Sequence, residues 1–365
     1  MSLARKHILK LNTYEAGRPI EEIKRQLGLK KVIKLASNEN PLGPSPKAME
    51  AVRKALLTVN RYPDSNGFYL KRRIARYFNL ETANIVLGNG SDELIELIIK
   101  AFVGDGESII TSDFTFLEYK IIALANDRTV ITLPLKYFKY DLDAIKKKID
   151  SKTKVLFIAN PNNPTGTYVT KFEIEELFKG LPEDILVVLD EAYDAFIDVD
   201  DFPNSLSYLK RKNLLVLKTF SKTYGLAGLR IGFALGNPEL ISFLERVRQP
   251  FNVNSLAQAA GAAALDDKKF LSRTRKLILS GKKYLYAGLA RLGIAYVSSV
   301  ANFILIDVGR DGQALFKEML KYGVIVRDMR QYGLKNFIRV TIGTKKENER
   351  FLKVLRKILN GKEKK

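Results

Sequence analysis

The sequence predicts an α/β protein, with a mostly parallel sheet flanked by helices in a large domain and a smaller mixed α/β domain beside it. Three observations predict this. Apolar strand-like runs alternate with amphipathic helical stretches through the middle of the chain, the pattern of a parallel sheet built from crossovers. From about residue 239 the rhythm changes to long helical stretches and shorter strands. The length, 365 residues, exceeds one ordinary compact core and suits two domains.

Residues 19–28 read as a helix, and NPLGPSPK at 40–47 reads as a linker-like crossing with three prolines and a glycine. A helix opened by Pro46 follows over 46–58. Strand candidates are 84–88, 108–111, 129–134, 154–160, 185–190, 213–220 and 230–236. Amphipathic stretches at 93–102 and 171–181 lie between them. Beyond them, 255–292 reads as one long helix. Strands at 301–308, 324–328 and 337–343 and helices at 312–322 and 345–360 complete a second unit. The expected division is a large domain over 45–255 and a small domain made of 1–44 and 256–365.

Composition narrows the chemistry. The chain has no cysteine and one histidine, His7. Disulfides, iron–sulfur clusters and Cys/His zinc sites are excluded, so no metal site is expected. Catalysis through Ser-His-Asp or Cys-His would need His7, near the terminus. Lys, Tyr, Asp, Glu, Arg or a bound cofactor must therefore carry the reaction. The net charge of +21 fits either nucleic-acid binding or a lysine-rich solvated surface. Basic residues spread along the chain among acids favour the surface, so no nucleic-acid partner is expected. Without a long apolar run or a signal-peptide core, no membrane partner is expected either, and the expected location is the cytoplasm.

Polar groups gather just past the C-terminal ends of three strands. Asn163 follows KVLFIAN, Asp190 ends ILVVLD with Tyr193 three residues on, and Ser221 and Lys222 follow NLLVLKTF. Ligands of parallel α/β sheets bind beyond those ends. A cofactor aldehyde needs a lysine amine, a pyridine nitrogen needs a carboxylate, and a phenolic oxygen needs donors. Each residue also has a plainer reading: Asp190 as a helix cap, Asn163 as a turn residue, Lys222 as a surface charge. Their shared placement favours one ligand. GNGSDELIELIIKAF at 88–102 is a glycine turn opening a helix, whose N–H groups near Ser91 and Asp92 suit a phosphate. Asp92 could cap the helix instead. Ser221 and Arg230 add a hydroxyl and a guanidinium. Glu93 occupies the third glycine position of a dinucleotide-binding loop, which argues against that alternative.

In combination, SNENPLGPSP (37–46), RYPD (61–64), GNGSDE (88–93), NPNNPTG (160–166), DEAY (190–193), TFSKTYGLAGLRIG (219–232) and IRVTIGT (338–344) resemble the fold-type I, class II aminotransferases. The resemblance runs from about Leu11 to about Leu355 and is greatest to the histidinol-phosphate aminotransferases. It implies pyridoxal 5'-phosphate as cofactor. Lys222 would carry the cofactor and move the proton, Asp190 would pair with the pyridine nitrogen, and Asn163 and Tyr193 would bind the phenolic oxygen. Phe116 would stack on the ring, and Ser91, Asp92, Ser221 and Arg230 would line the phosphate site. Tyr62 would reach that phosphate from a neighbouring subunit, which implies a homodimer with shared active sites. Tyr14, Asn89, Arg327 and Arg339 would contact substrate. The implied reaction moves an amino group between glutamate/2-oxoglutarate and histidinol phosphate/imidazole acetol phosphate. An aromatic amino-acid aminotransferase, or a decarboxylase of a phosphorylated amino acid, would share most of these motifs. One segment departs from the pattern: Phe114-Thr115-Phe116 stands where relatives have a proline first.

Overall fold

The computed structural model describes residues 3–11 and 20–360. Its strands, in chain order, are β1 (Ile33–Lys34), β2 (Ile85–Gly88), β3 (Ser108–Ser112), β4 (Thr129–Leu133), β5 (Thr153–Ala159), β6 (Leu186–Asp190), β7 (Leu214–Thr219), β8 (Gly232–Gly236), β9 (Tyr296–Val297), β10 (Phe303–Asp307), β11 (Val324–Ile325), β12 (Arg327–Asp328) and β13 (Phe337–Thr341). A seven-stranded sheet runs in the order β2-β8-β7-β6-β5-β3-β4. Helices cover both faces, so β2, β3 and β6 are buried along their whole length. This is why Ile85–Leu87 of β2 and Leu186–Leu189 of β6 are continuous apolar runs without alternation. The α/β class with a mostly parallel sheet is as expected.

One strand runs backwards. β8 is antiparallel to both β2 and β7. A parallel return needs a crossover long enough to recross the sheet. The β7–β8 connection carries only a 3₁₀ turn, Ala227–Leu229. It folds back at the sheet edge instead, closed by Phe220 N–H to Ile231 O at 3.1 Å and Leu226 N–H to Phe220 O at 3.1 Å. That closed loop presents Lys222.

The second unit has an antiparallel sheet ordered β12-β13-β10-β9 and a parallel pair, β1 with β11. Ile33 pairs with Val324, so the N-terminal segment joins the C-terminal part of the chain. Its core packs Phe303, Ile304, Met319, Val340 and Phe351.

The expected strand over 324–328 is in fact two short strands with different partners, Val324–Ile325 on β1 and Arg327–Asp328 on β13. The expected helix over 255–292 is broken into Ser255–Ala264 and Lys268–Arg291. Asp267 caps the second helix, accepting from Phe270 N–H at 3.2 Å, and its other oxygen accepts from Ser45 Oγ at 2.7 Å. A capping acid between two helical patterns starts a new helix. Ala257, Ala260 and Ala264 pack the first of these helices into the larger core, against the helix Pro46–Ala55. The larger core thus continues past the expected boundary at 255.

Candidate active site

Strands β5, β6 and β7 are adjacent and parallel, with Ala159 paired to Asp190 and Asp190 to Leu217. Their C-terminal ends therefore share one edge of the sheet. A cavity of about 260 Å³ opens there. Asn163, Asp190, Tyr193 and Lys222 line it together, with Phe116 on the wall. Ser91, Asp92, Ser221 and Arg230 form one end, and Arg327 and Arg339 arrive from the second unit.

Lys222 Nζ donates to the Ser37 carbonyl at 3.4 Å and stands 5.7 Å from the Tyr193 ring centroid. Burial, and then the Arg339 guanidinium, hold its pKa down at about 8. A substantial share of the amine is then neutral near physiological pH, as a nucleophile and proton carrier requires. Asp190 is buried at the cavity floor, where Tyr119 OH donates to Oδ2 at 2.7 Å and Ala192 N–H donates to Oδ1 at 3.2 Å. Burial pushes its pKa up to about 6, against the pull of those two donors and with the help of nearby Asp92 and Glu191.

Two residues escaped the sequence reading. Tyr119 lay unnoticed in an apolar helix, Glu118–Ala125. The usable signal was a tyrosine in a buried stretch, since a buried hydroxyl needs a partner. Asn38 lies inside a quoted motif, yet its role needs the fold: its Nδ2 donates to Tyr193 OH at 3.0 Å, from a backbone with φ 55°.

Arg327 and Arg339 face each other in register across β12 and β13. Arg339 Nη2 donates to Ala36 O at 2.8 Å, and Nη1 donates to Asn163 Oδ1. Its Nε is buried with no acceptor among the described residues. A bound carboxylate or phosphate would supply that acceptor. Arg327 Nη2 donates to Gln331 Oε1 at 2.7 Å.

The anion end is built on glycines. Gly90, with φ 83°, precedes the helix Ser91–Phe102 and offers no side-chain cap. A Cβ on Gly232 would lie 3.0 Å from Ser91 N, and one on Gly90 would lie 2.6 Å from Arg230 Nη2. Both absences leave the helix N-terminus open beside the guanidinium. Arg230 donates to Asp92 Oδ2 at 2.9 Å, which neutralises the acid that would otherwise repel an anion.

Two expected residues are not among those lining this cavity. Tyr62 is 83% exposed and stacks on Phe251 at 4.8 Å, away from its own chain's cavity. Asn89 is exposed, and its N–H donates to Glu93 Oε2 at 2.5 Å, which makes it a turn residue in the single chain. Tyr14 falls outside the described residues. Phe114, the departure from the usual proline, packs beside Gly333 on the Met329, Tyr332 and Leu334 cluster, while its carbonyl accepts from Asn162 Nδ2 at 2.9 Å. The aromatic thus ties the loop before Phe116 to the second unit.

Comparisons agree with this geometry. The family described as aminotransferase class I and II matches residues 30–355. The histidinol-phosphate aminotransferase of Moorella thermoacetica is 45% identical over 97% of this chain and 92% of its own. That of Anaeromyxobacter sp. is 46% identical over 98% of this chain and 100% of its own. The crystal structure of histidinol-phosphate aminotransferase from Sinorhizobium meliloti in complex with pyridoxal-5'-phosphate superposes with a TM-score of 0.89 at 27% identity, covering 98% of this chain and 99% of that one. By its sequence along nearly the whole length, and by a fold that sets a lysine, a carboxylate and an anion cradle in one cavity, the chain belongs to the class I and II aminotransferases.

Proposed function

We propose that the chain is a pyridoxal-phosphate-dependent aminotransferase acting between glutamate/2-oxoglutarate and histidinol phosphate/imidazole acetol phosphate, in histidine biosynthesis. The observation that carries the substrate reading is the pair Arg327 and Arg339, in register and lining the same cavity as Lys222. One guanidinium serves a carboxylate, and the second suits a phosphate, which spreads charge over several oxygens.

The residues fit the cofactor. Asp190 is a buried carboxylate whose hydrogen-bond partners are neutral, so a protonated pyridine nitrogen would offset its burial. Asn163 and Tyr193 would hold the phenolic oxygen, Phe116 the ring face, and Ser91, Asp92, Ser221 and Arg230 the phosphate end. Bound there, pyridoxal phosphate supplies an aldehyde that takes the amino group and a pyridinium that draws electron density from the substrate Cα. Lys222 Nζ would hold that aldehyde at rest and, once released, accept the Cα proton and deliver it to the cofactor carbon that was the aldehyde. The pKa of about 8 keeps it competent for both directions of transfer. Arg339 would orient the amino-acid carboxylate, and the second unit, packed over the cavity, would keep water from the reacting atoms.

A homodimer completes this reading. Tyr62 and Phe251 stack at the surface, and Leu57, Phe68 and Tyr69 are exposed as well. Large apolar side chains left in water suit an interface covered by a second copy, from which Tyr62 would reach the partner's phosphate end. No helix among the described residues is long and apolar enough to cross a membrane, which accords with cytoplasmic work.

The test is an acceptor screen with glutamate as donor. Imidazole acetol phosphate is expected to give the highest kcat/KM. A higher value for phenylpyruvate would replace this substrate with an aromatic keto acid.

A further inference from the structure

Thr341 ends β13, two residues past Arg339, so both side chains leave the same face of that strand. Its hydroxyl meets Asn38 twice. Thr341 Oγ1 accepts from the backbone N–H of Asn38 at 2.9 Å and donates to Asn38 Oδ1 at 3.2 Å. Asn302, just before β10, adds a third tie, since its Nδ2 donates to the Asn38 carbonyl at 3.0 Å. Asn38 has φ 55°, a left-handed backbone that asparagine and aspartate tolerate better than other side chains. Asn38, Asn302 and Thr341 are all buried.

These bonds have a direction. A backbone N–H can only donate, so the Thr341 hydroxyl accepts from it and keeps its own hydrogen for Asn38 Oδ1. That hydrogen fixes the oxygen end of the amide, and the nitrogen end then faces Tyr193. Asn38 Nδ2 donates to Tyr193 OH at 3.0 Å. An amide N–H accepts nothing, so the Tyr193 hydrogen cannot point at Asn38. Tyr193 is buried and lines the Lys222 cavity. Its hydrogen is therefore directed to an acceptor on the cavity side.

We propose that Asn38 and Thr341 are positioning residues that set the polarity of the Tyr193 hydroxyl: Thr341 locks the Asn38 amide one way round, and the amide makes Tyr193 a donor to the cofactor's phenolic oxygen. This rests on the reading of Tyr193 as a neighbour of that oxygen. A donor there draws charge off the phenolic oxygen and weakens the hold of Lys222 Nζ, where it joins the cofactor, on its proton. The second unit thus acts on the cofactor end of Lys222 through a chain of buried hydrogen bonds.

The test is a pH titration of the visible absorbance of the cofactor-loaded protein, which reads the protonation of that nitrogen. The parent is compared with Asn38→Asp, Thr341→Val, Thr341→Ser, Tyr193→Phe and the double variant Asn38→Asp/Tyr193→Phe, and melting temperatures are recorded. An ionised aspartate at position 38 only accepts, so it turns the Tyr193 hydrogen away from the cavity. Valine at position 341 frees the amide to turn over. The midpoint is expected to rise by roughly one pH unit in Asn38→Asp and in Tyr193→Phe, and by less in Thr341→Val. Thr341→Ser should keep the parent value. In the Tyr193→Phe background Asn38→Asp should add no further shift, because no hydroxyl remains to be turned. A rise in Tyr193→Phe with Asn38→Asp and Thr341→Val at the parent value would overturn the role of Asn38 and Thr341 and leave that of Tyr193 standing. With no rise in Tyr193→Phe, the reading of Tyr193 fails and this inference with it. An equal Asn38→Asp shift with and without the Tyr193 hydroxyl would be a direct effect of the added charge and would overturn the proposal, as would lowered melting temperatures with unmoved midpoints.

Discussion

Asp190→Asn should stabilise the cofactor-free protein while it slows the loaded enzyme. Burial raises the Asp190 pKa from 3.8 to about 6, about two units. At about 1.4 kcal/mol per unit, the ionised carboxylate costs the folded state roughly 3 kcal/mol. The sign follows from proton counting. With the folded pKa above the unfolded one, the folded state binds more protons between those values, so stability falls as pH rises through that window. The full cost applies above about pH 6 and vanishes below the unfolded pKa of 3.8. Asparagine removes the charge but has one carbonyl oxygen for two donors, Tyr119 OH and Ala192 N–H. One lost hydrogen bond costs about 1 kcal/mol, leaving a net gain of roughly 2 kcal/mol at pH 8. The assay is urea unfolding of the stripped protein at pH 5 and pH 8, followed by circular dichroism, since the chain has no tryptophan. The advantage of the variant should be larger at pH 8. With cofactor bound, turnover should fall by roughly a hundredfold or more, because the carboxylate acts on charge that develops at the reacting centre. An advantage that does not change with pH, or near-normal turnover, would refute the reasoning.

Borohydride reduction should fix the cofactor to a peptide containing Lys222, and Lys222→Ala should fold yet take no label; a label on another lysine would overturn its role. Capture of cofactor by stripped protein should speed up as pH rises through about 8, where Lys222 loses its proton. Arg339→Gln should move that midpoint upward, since its charge is the second cause of the lowered value. Gly90→Ala would put a Cβ 2.6 Å from Arg230 Nη2 at a φ of +83°; cofactor retention on dialysis should drop roughly tenfold, as expected for one lost charged hydrogen bond. Mixing inactive Lys222→Ala with a weakened Tyr62→Phe variant should restore part of the activity if sites are shared. Sedimentation showing an active monomer would rule the shared site out.

Much of this was legible before any fold was known. The strands β5, β6 and β7 announced themselves as apolar runs, and Asn163, Asp190 and Lys222 were found by their places just past the strand ends. Those signals are local: a buried strand must be apolar, and a polar side chain at its end must have a use. The antiparallel β8 was not legible, because strand direction depends on how the connection returns. The break at Asp267 was hidden too, since an acid inside a helical pattern reads the same whether it caps or faces water, and Ser45 is distant in sequence. Tyr119 and Asn38 took their roles from partners over 70 positions away, Asp190 and Tyr193 respectively.

The sequence by itself determined the α/β class and the places of Lys222, Asp190 and the glycine turn Gly88–Gly90 at or just past strand ends, because each depends on residue type within a short window. Only the tertiary structure decided that Arg327 stands opposite Arg339 over the same cavity, and that burial raises the pKa of Asp190 and lowers that of Lys222. Those properties come from desolvation and from charges brought together across the fold. Register, burial and field belong to the packed chain as a whole, and no short stretch of sequence carries them.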